Sequence, residues 1–214
     1  MGIKERRERE KAELRDRILV AARELFVEEG FDAVTMRKIA ERIEYSPTAL
    51  YLHFETKDEI LRALCDEDFR ALAGHFAGIA ALPDPIERLR AAGHAYVQFG
   101  LQFPNHYRLM FMTPHPPQEA EESAIAKGDP DQDSYAFLKG ILTDCVEQGL
   151  FRPELQDVEL LAQVVWAAVH GVVSIEIAKS NDDWVDWRPF AVRADFLLDA
   201  LLNGLLAGTS PRKA

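Results

Sequence analysis

At 214 residues and 24.2 kDa the chain has room for one large domain, or for a small one joined to a medium one. A composition of 48% hydrophobic and 29% charged residues, with 12 Gly and 11 Pro, excludes wholesale disorder and the collagen-like and low-complexity classes. The net charge of −11 excludes a protein that coats nucleic acid indiscriminately, yet residues 1–60 are close to balance, with twelve basic against fourteen acidic side chains. The acidity lies beyond them, which permits a separate N-terminal module with a partner of its own.

Along the chain, Lys4 to Arg17 alternates in sign and predicts a solvated helical extension laced by pairs three and four residues apart. A basic arm reaching DNA phosphates is the alternative. Leu14, Ile18, Ala21 or Ala22, Leu25 and Phe26 then fall at helical spacing, so a first helix is expected over about 10–29, ended by Gly30. Thr35 caps two turns that carry Ile39, Ala40 and Ile43 inward, and Glu44-Tyr45 makes a break. Ser46-Pro47 restarts the chain as cap and first helical residue, with Leu50 and Phe54 inward. Thr56-Lys-Asp-Glu59 has the spacing of a capping box and opens a helix expected to reach Ala81. Helix, short helix, tight turn and short helix together make a helix-turn-helix.

The run Thr35-Met-Arg-Lys-Ile-Ala, followed by Ser46-Pro-Thr-Ala-Leu-Tyr-Leu-His-Phe-Glu-Thr-Lys57, closely resembles the TetR family of transcriptional regulators. Ala21-Ala-Arg-Glu-Leu-Phe and Gly30-Phe-Asp-Ala-Val-Thr35 fit the same pattern, and the likeness spans residues 15–65. A helix beginning at Pro47 turns Pro47, Thr48, Tyr51 and Leu52 outward, with Ser46 at its cap, and the major groove of DNA admits one such helix. The resemblance implies that Tyr51 lies against the DNA backbone, that His53 and Lys57 meet phosphates, and that Arg37 reaches a base or a phosphate. Each has a plainer reading: packing for Tyr51, capping or packing for His53, a solvated charge for Arg37. One module is too small to hold DNA tightly, so a homodimer on a palindrome is expected, with half-sites about 34–36 Å apart or a multiple of that.

Pro83-Asp-Pro85 marks a corner and a new helix to Phe103, and Pro104 sets off a short apolar piece to Met112. A polar loop follows from Thr113 to Pro130, then helices over 132–148, 158–179 and 188–207, with no strand signal. Phe103-Pro-Asn-His-Tyr-Arg-Leu-Met-Phe111 and Trp166-Ala-Ala-Val-His-Gly171 resemble one C-terminal type of the same family. That likeness implies a domain that dimerises through its last two long helices and holds an effector among the others. Ala167, Gly171, Ser174 and Ala178 form a small-residue stripe suited to a close helix crossing between subunits, joined by Phe196 and Ala200; packing within one subunit is the alternative. Tyr96, Phe99, Phe103, Tyr107, Met110, Phe111, Phe137, Trp166 and His170 are the candidate pocket walls, each also readable as core. They suit a small apolar or aromatic effector.

The acidic run Asp129 to Ser134 lacks the glycine and the bidentate glutamate of a calcium loop, and the six histidines show no metal-ligand spacing. No cofactor and no metal is expected. Cys65 and Cys145 are too few for a disulfide framework, no signal peptide is visible, and Leu160 to Ala178 is broken by polar residues. That last stretch reads as a buried helix, so no membrane partner is expected and the location is cytoplasmic.

The expectation is an all-α chain: a helix-turn-helix domain over 1–57 with a charged extension over 1–12, a helical effector and dimerisation domain over 58–208, and a tail over 209–214. Its expected function is a homodimeric, ligand-responsive repressor, in which the helix from Lys57 shifts with effector and changes the spacing of two recognition helices. The alternatives are an activator or a co-repressor-dependent regulator, or a helical ligand-binding protein or enzyme without DNA function. No catalytic constellation is found.

Overall fold

The computed structural model describes residues 2–114, 116 and 123–207. Among them lie nine α-helices: α1 (Ile3–Glu29), α2 (Met36–Arg42), α3 (Pro47–Tyr51), α4 (Lys57–His75), α5 (Pro85–Gln102), α6 (Pro104–Phe111), α7 (Ser134–Glu147), α8 (Val158–Lys179) and α9 (Phe190–Leu205). A single isolated antiparallel bridge, Phe151 to Leu206, is the only extended pairing among the described residues. The all-α expectation holds. Part of the loop expected over 113–130, the stop expected near Gly208 and the tail lie outside the described residues.

Local chemistry sets most boundaries. Thr35 Oγ1 accepts from the Lys38 amide at 3.2 Å, Ser46 Oγ from Ala49 at 3.3 Å, and Asp84 from Ile86 at 2.8 Å, each satisfying an amide with no partner inside its helix. Pro47 and Pro85 follow their caps at positions where a missing N–H costs nothing. Gly30, at φ 84°, ends α1 in a conformation closed to most side chains. The α4 helix departs from expectation at both ends. Its capping box is displaced: the Glu59 amide donates to Thr56, but the Glu59 carboxylate accepts from the amide of Glu55 rather than that of Thr56. The helix stops at His75, not Ala81, because the chain turns at Gly78 with φ 83° before the 3-10 turn Ile79–Ala81.

The helices divide into two compact units. The first comprises residues 1–69 and 105–125, and the second 70–104 and 126–214. The division therefore falls inside α4, rather than between residues 57 and 58, and it groups most of α6 with the helix-turn-helix. The first unit's core joins Ile18, Ala22, Leu25 and Phe26 of α1 to Ile39 and Ala40 of α2, Leu50 of α3, and Ile60, Leu61 and Leu64 of α4, with Leu109 of α6 in the same cluster. In the second unit α5 packs against α7, α8 and α9.

A buried ionic group crosses the first core. Asp68 of α4 has 1% of its side chain exposed and pairs with Arg23 of α1, while His106 Nδ1 of α6 lies 2.8 Å from its other oxygen. A carboxylate only accepts, so that nitrogen carries the proton. Leaving Arg23 buried without its counter-ion is the costly operation. Asp68→Leu is expected to lower stability to urea by about 3–5 kcal/mol; a loss below about 1 kcal/mol would show that the pair does not hold these helices together.

Candidate nucleic-acid interface

The α3 helix is short, and its exposure pattern follows from its caps. Leu50 and Phe54 are buried in the core, while Ser46, Pro47, Thr48, Tyr51 and Leu52 are exposed, Leu52 by 74%. This places Thr48 and Tyr51 on the solvent side as expected. His53 is half-buried and sits below the usual imidazole range, first through burial and then through the positive charges of Lys11 and Arg15. The tight turn before α3 runs through Glu44 at φ 61°, and Arg17 braces it, donating to the Ile43 carbonyl at 3.0 Å and lying 5.0 Å over the Tyr45 ring.

Internal bonds occupy most cations of this unit. Lys38 pairs with Glu29 at 2.5 Å, Arg42 with Glu28 at 3.0 Å, and the exposed Arg37 with Glu41 at 2.8 Å. The Lys57 ammonium donates to the carbonyls of Phe31 at 2.9 Å and Val34 at 3.2 Å and sits 4.2 Å from the Phe31 ring centre. A phosphate role was expected of Lys57. In this conformation its charge instead ties the start of α4 to the α1–α2 connector, because those carbonyls have no helical partners to compete for.

The nine pocket candidates do not form one group. Tyr107, Met110 and Phe111 belong to the first unit, where Tyr107 is fully buried and Phe111 meets Phe69 edge-on at 5.9 Å. The other six lie in the second unit. There Phe99 packs on Phe103 at 5.5 Å and Phe137 stacks on Phe76 at 5.1 Å. The Trp166 indole donates to the Tyr96 hydroxyl at 3.1 Å, and His170, 6.5 Å from the Trp166 ring, has its pKa lowered by burial. Cys145 is pushed up to about 12 by burial, despite Arg88 nearby, which makes it a poor nucleophile.

The expected interface stripe faces outward. Ala167 and Ala178 are exposed, Gly171 and Ser174 half-buried, and a Cβ placed on Gly171 would meet nothing within 4 Å. At Gly171 no neighbour within the subunit requires the missing side chain. Leu160, Val164 and Ile175 extend the row on α8, and Val192, Phe196 and Ala200 form another on α9, with Phe196 75% exposed. The expectation of a buried α8 is corrected accordingly. By length and composition α8 could cross a membrane, with a mean hydropathy of 1.7; its inner face, Leu161, Ala162, Val165, Val169 and Val173, belongs to the second unit's core.

Residues 18–64 match the bacterial regulatory proteins of the tetR family, and residues 89–201 match the tetracyclin repressor-like C-terminal domain, over half the chain. The chain belongs to the TetR family. Members of this family are transcription regulators, not enzymes. The HTH-type transcriptional activator FasR of Mycolicibacterium smegmatis is 34% identical over 117 residues, 53% of each chain. The regulator UidR of Escherichia coli K12 is 45% identical over 60 residues, 28% of this chain and 31% of its own. The chain thus spans about half and a third of these relatives. The TetR-family regulator PfmR of Thermus thermophilus superimposes with a TM-score of 0.64 at 27% identity, covering 91% of this chain and 98% of its own.

Two features of this TetR-family unit escaped the sequence reading: the Arg23–Asp68–His106 group and the Lys57 brace. Asp68 was visible in principle, since Leu61, Leu64, Cys65, Asp68 and Leu72 keep one helical spacing and place it in the core row. The direction of the Lys57 side chain had no sequence signal. Lys57→Met is expected to cost about 2 kcal/mol of stability without DNA, the scale of lost hydrogen bonds to a charged group. An unchanged melting curve would leave Lys57 with no structural role.

Proposed function

We propose that this chain is a homodimeric repressor that binds a palindromic DNA operator in the cytoplasm and is released by a small apolar or aromatic effector. The observation that carries the reading is the capped α3 helix, whose outward side offers Pro47, Thr48 and Tyr51 on a frame fixed by buried Leu50 and Phe54. Residues near the start of a recognition helix reach base edges in the major groove, so Thr48 offers a hydroxyl and a methyl to a base while Tyr51 lies along the backbone. Ser46, Arg37 and His53 flank that surface as phosphate contacts, and Arg37 must exchange Glu41 for a phosphate to serve.

Two outward apolar rows, on α8 and α9, support the dimer. Phe196 and Val192 standing in water are disfavoured, and a twofold copy of the same face would bury them. The aromatic residues of the second unit, with the Tyr96 hydroxyl and His170 as polar groups, support an apolar or aromatic effector. Effector binding then favours a state with lower DNA affinity, a coupling of about 1–3 kcal/mol that is reciprocal between the two ligands. Activation is the second reading, favoured by the word activator in the name of the FasR relative; transcription in vitro from a promoter that carries the operator reads the sign.

Phe196→Glu places a charge at the centre of the proposed dimer face while touching no core position. The expected result is a folded monomer by sedimentation, with DNA affinity reduced at least 100-fold on an inverted repeat because each monomer holds one half-site, on the order of 3 kcal/mol. A variant that stays dimeric contradicts the interface, and a monomer that keeps full affinity contradicts the twofold reading of DNA.

A further inference from the structure

A protein of net charge −11 that grips DNA needs local positive charge, and the helix-turn-helix uses nearly all of its own cations internally. Among the described cations of residues 2–60, Arg7 and Lys11 are the two that make no ion pair or hydrogen bond. They stand four residues apart on α1, and Leu14 continues the same helical row. Lys11 and Leu14 form one wall of an open groove of about 720 Å³ beside the reader helix, and Tyr45, Leu52 and His53 form the other. Glu10, the one carboxylate on its rim, is engaged by Arg6 at 2.7 Å. Asp16, further along α1, falls on the opposite side of the helix from Lys11.

We propose that this groove seats the sugar–phosphate backbone of duplex DNA, with Lys11 and Arg7 meeting phosphates and Leu52 and Tyr45 lying against sugars. The proposal rests on the DNA-binding reading given above. Leu52 and His53 follow directly on the last residue of α3, so a strand lying along that helix passes into the groove. The protonated form of His53 is disfavoured first by burial and then by Lys11 and Arg15, whose charges both act at this groove; a phosphate seated there would offset them. A long, exposed, apolar Leu52 beside free cations suits a surface that is apolar at the sugar and anionic at the phosphate. The extension of α1 beyond the core, bound to itself by the pairs Lys4–Glu8, Arg6–Glu10 and Arg9–Glu13, holds the two cations in a helical frame and leaves them unpaired.

The test is a salt titration on a duplex selected from a random-sequence library by the full-length protein. Each phosphate contact contributes about 0.9 to the slope of log affinity against log salt. The Arg7→Gln/Lys11→Gln double variant is expected to lower the slope by about 2, weaken binding alike on all duplexes, and select the same sequence as the unaltered protein. Arg152→Gln/Arg188→Gln, which removes the same charge from the second unit, is the control and is expected to leave the slope unchanged. An unchanged slope in the Arg7/Lys11 variant, or an equal fall in the control, overturns the groove assignment while the regulator reading stands. Failure of the unaltered protein to select any duplex overturns the DNA-binding reading itself, and the groove with it.

Discussion

Asp68 is a carboxylate taken out of water, and the first unit is arranged so that this is tolerable. Arg23 reaches it from α1 and His106 from α6, so three helices share one buried polar centre. Deep desolvation of each ion alone would cost several kcal/mol, which the pair recovers only with good geometry. Removing one partner would strand a buried charge, so the group ties α1, α4 and α6 to one another. The short helices α2 and α3 then pack Ile39, Ala40 and Leu50 into a core floored by Leu25 and Phe26 of α1.

The same unit, nearly balanced in charge, uses its cations by placement rather than by total charge. Arg17, Lys38, Arg42 and Lys57 hold connectors, turns and neighbouring helices in position through bonds to carbonyls and glutamates. These bonds give α3 a fixed orientation, which the proposed base readout requires, since it depends on placing a few side chains to within a fraction of a helix turn. The second unit divides its surface differently. Its inner faces form a bundle core, and the rows on α8 and α9 stay apolar where solvent would favour polar groups.

Much of this was legible from residue types with strong local effects. Thr35, Ser46-Pro47 and Asp84-Pro85 mark helix starts because their chemistry acts on the adjacent backbone, and Val158–Lys179 was readable as a helix from its long, predominantly apolar run. Errors arose where the outcome depends on distant partners. The Leu109-bearing segment after Pro104 is amphipathic, but nothing in its pattern says which core it joins, and it joins the first. Lys57 reads as a surface cation until its side chain is seen turned back to Phe31 and Val34. The α8 helix is apolar on both sides, and periodicity alone could not separate its inner face from its exposed one.

Cys65 and Cys145 are buried, so a cysteine introduced on α3 would react without competition from them. Thr48→Cys, joined by disulfide exchange to thiol-bearing bases scanned along a selected operator duplex, maps where the reader helix lies. Cross-links at two positions related by a dyad, about 34–36 Å apart or a multiple of that, are the predicted result. Cross-linking confined to one position, or none at any base under conditions where the duplex is bound, would contradict the central claim that α3 reads DNA as one of a symmetric pair.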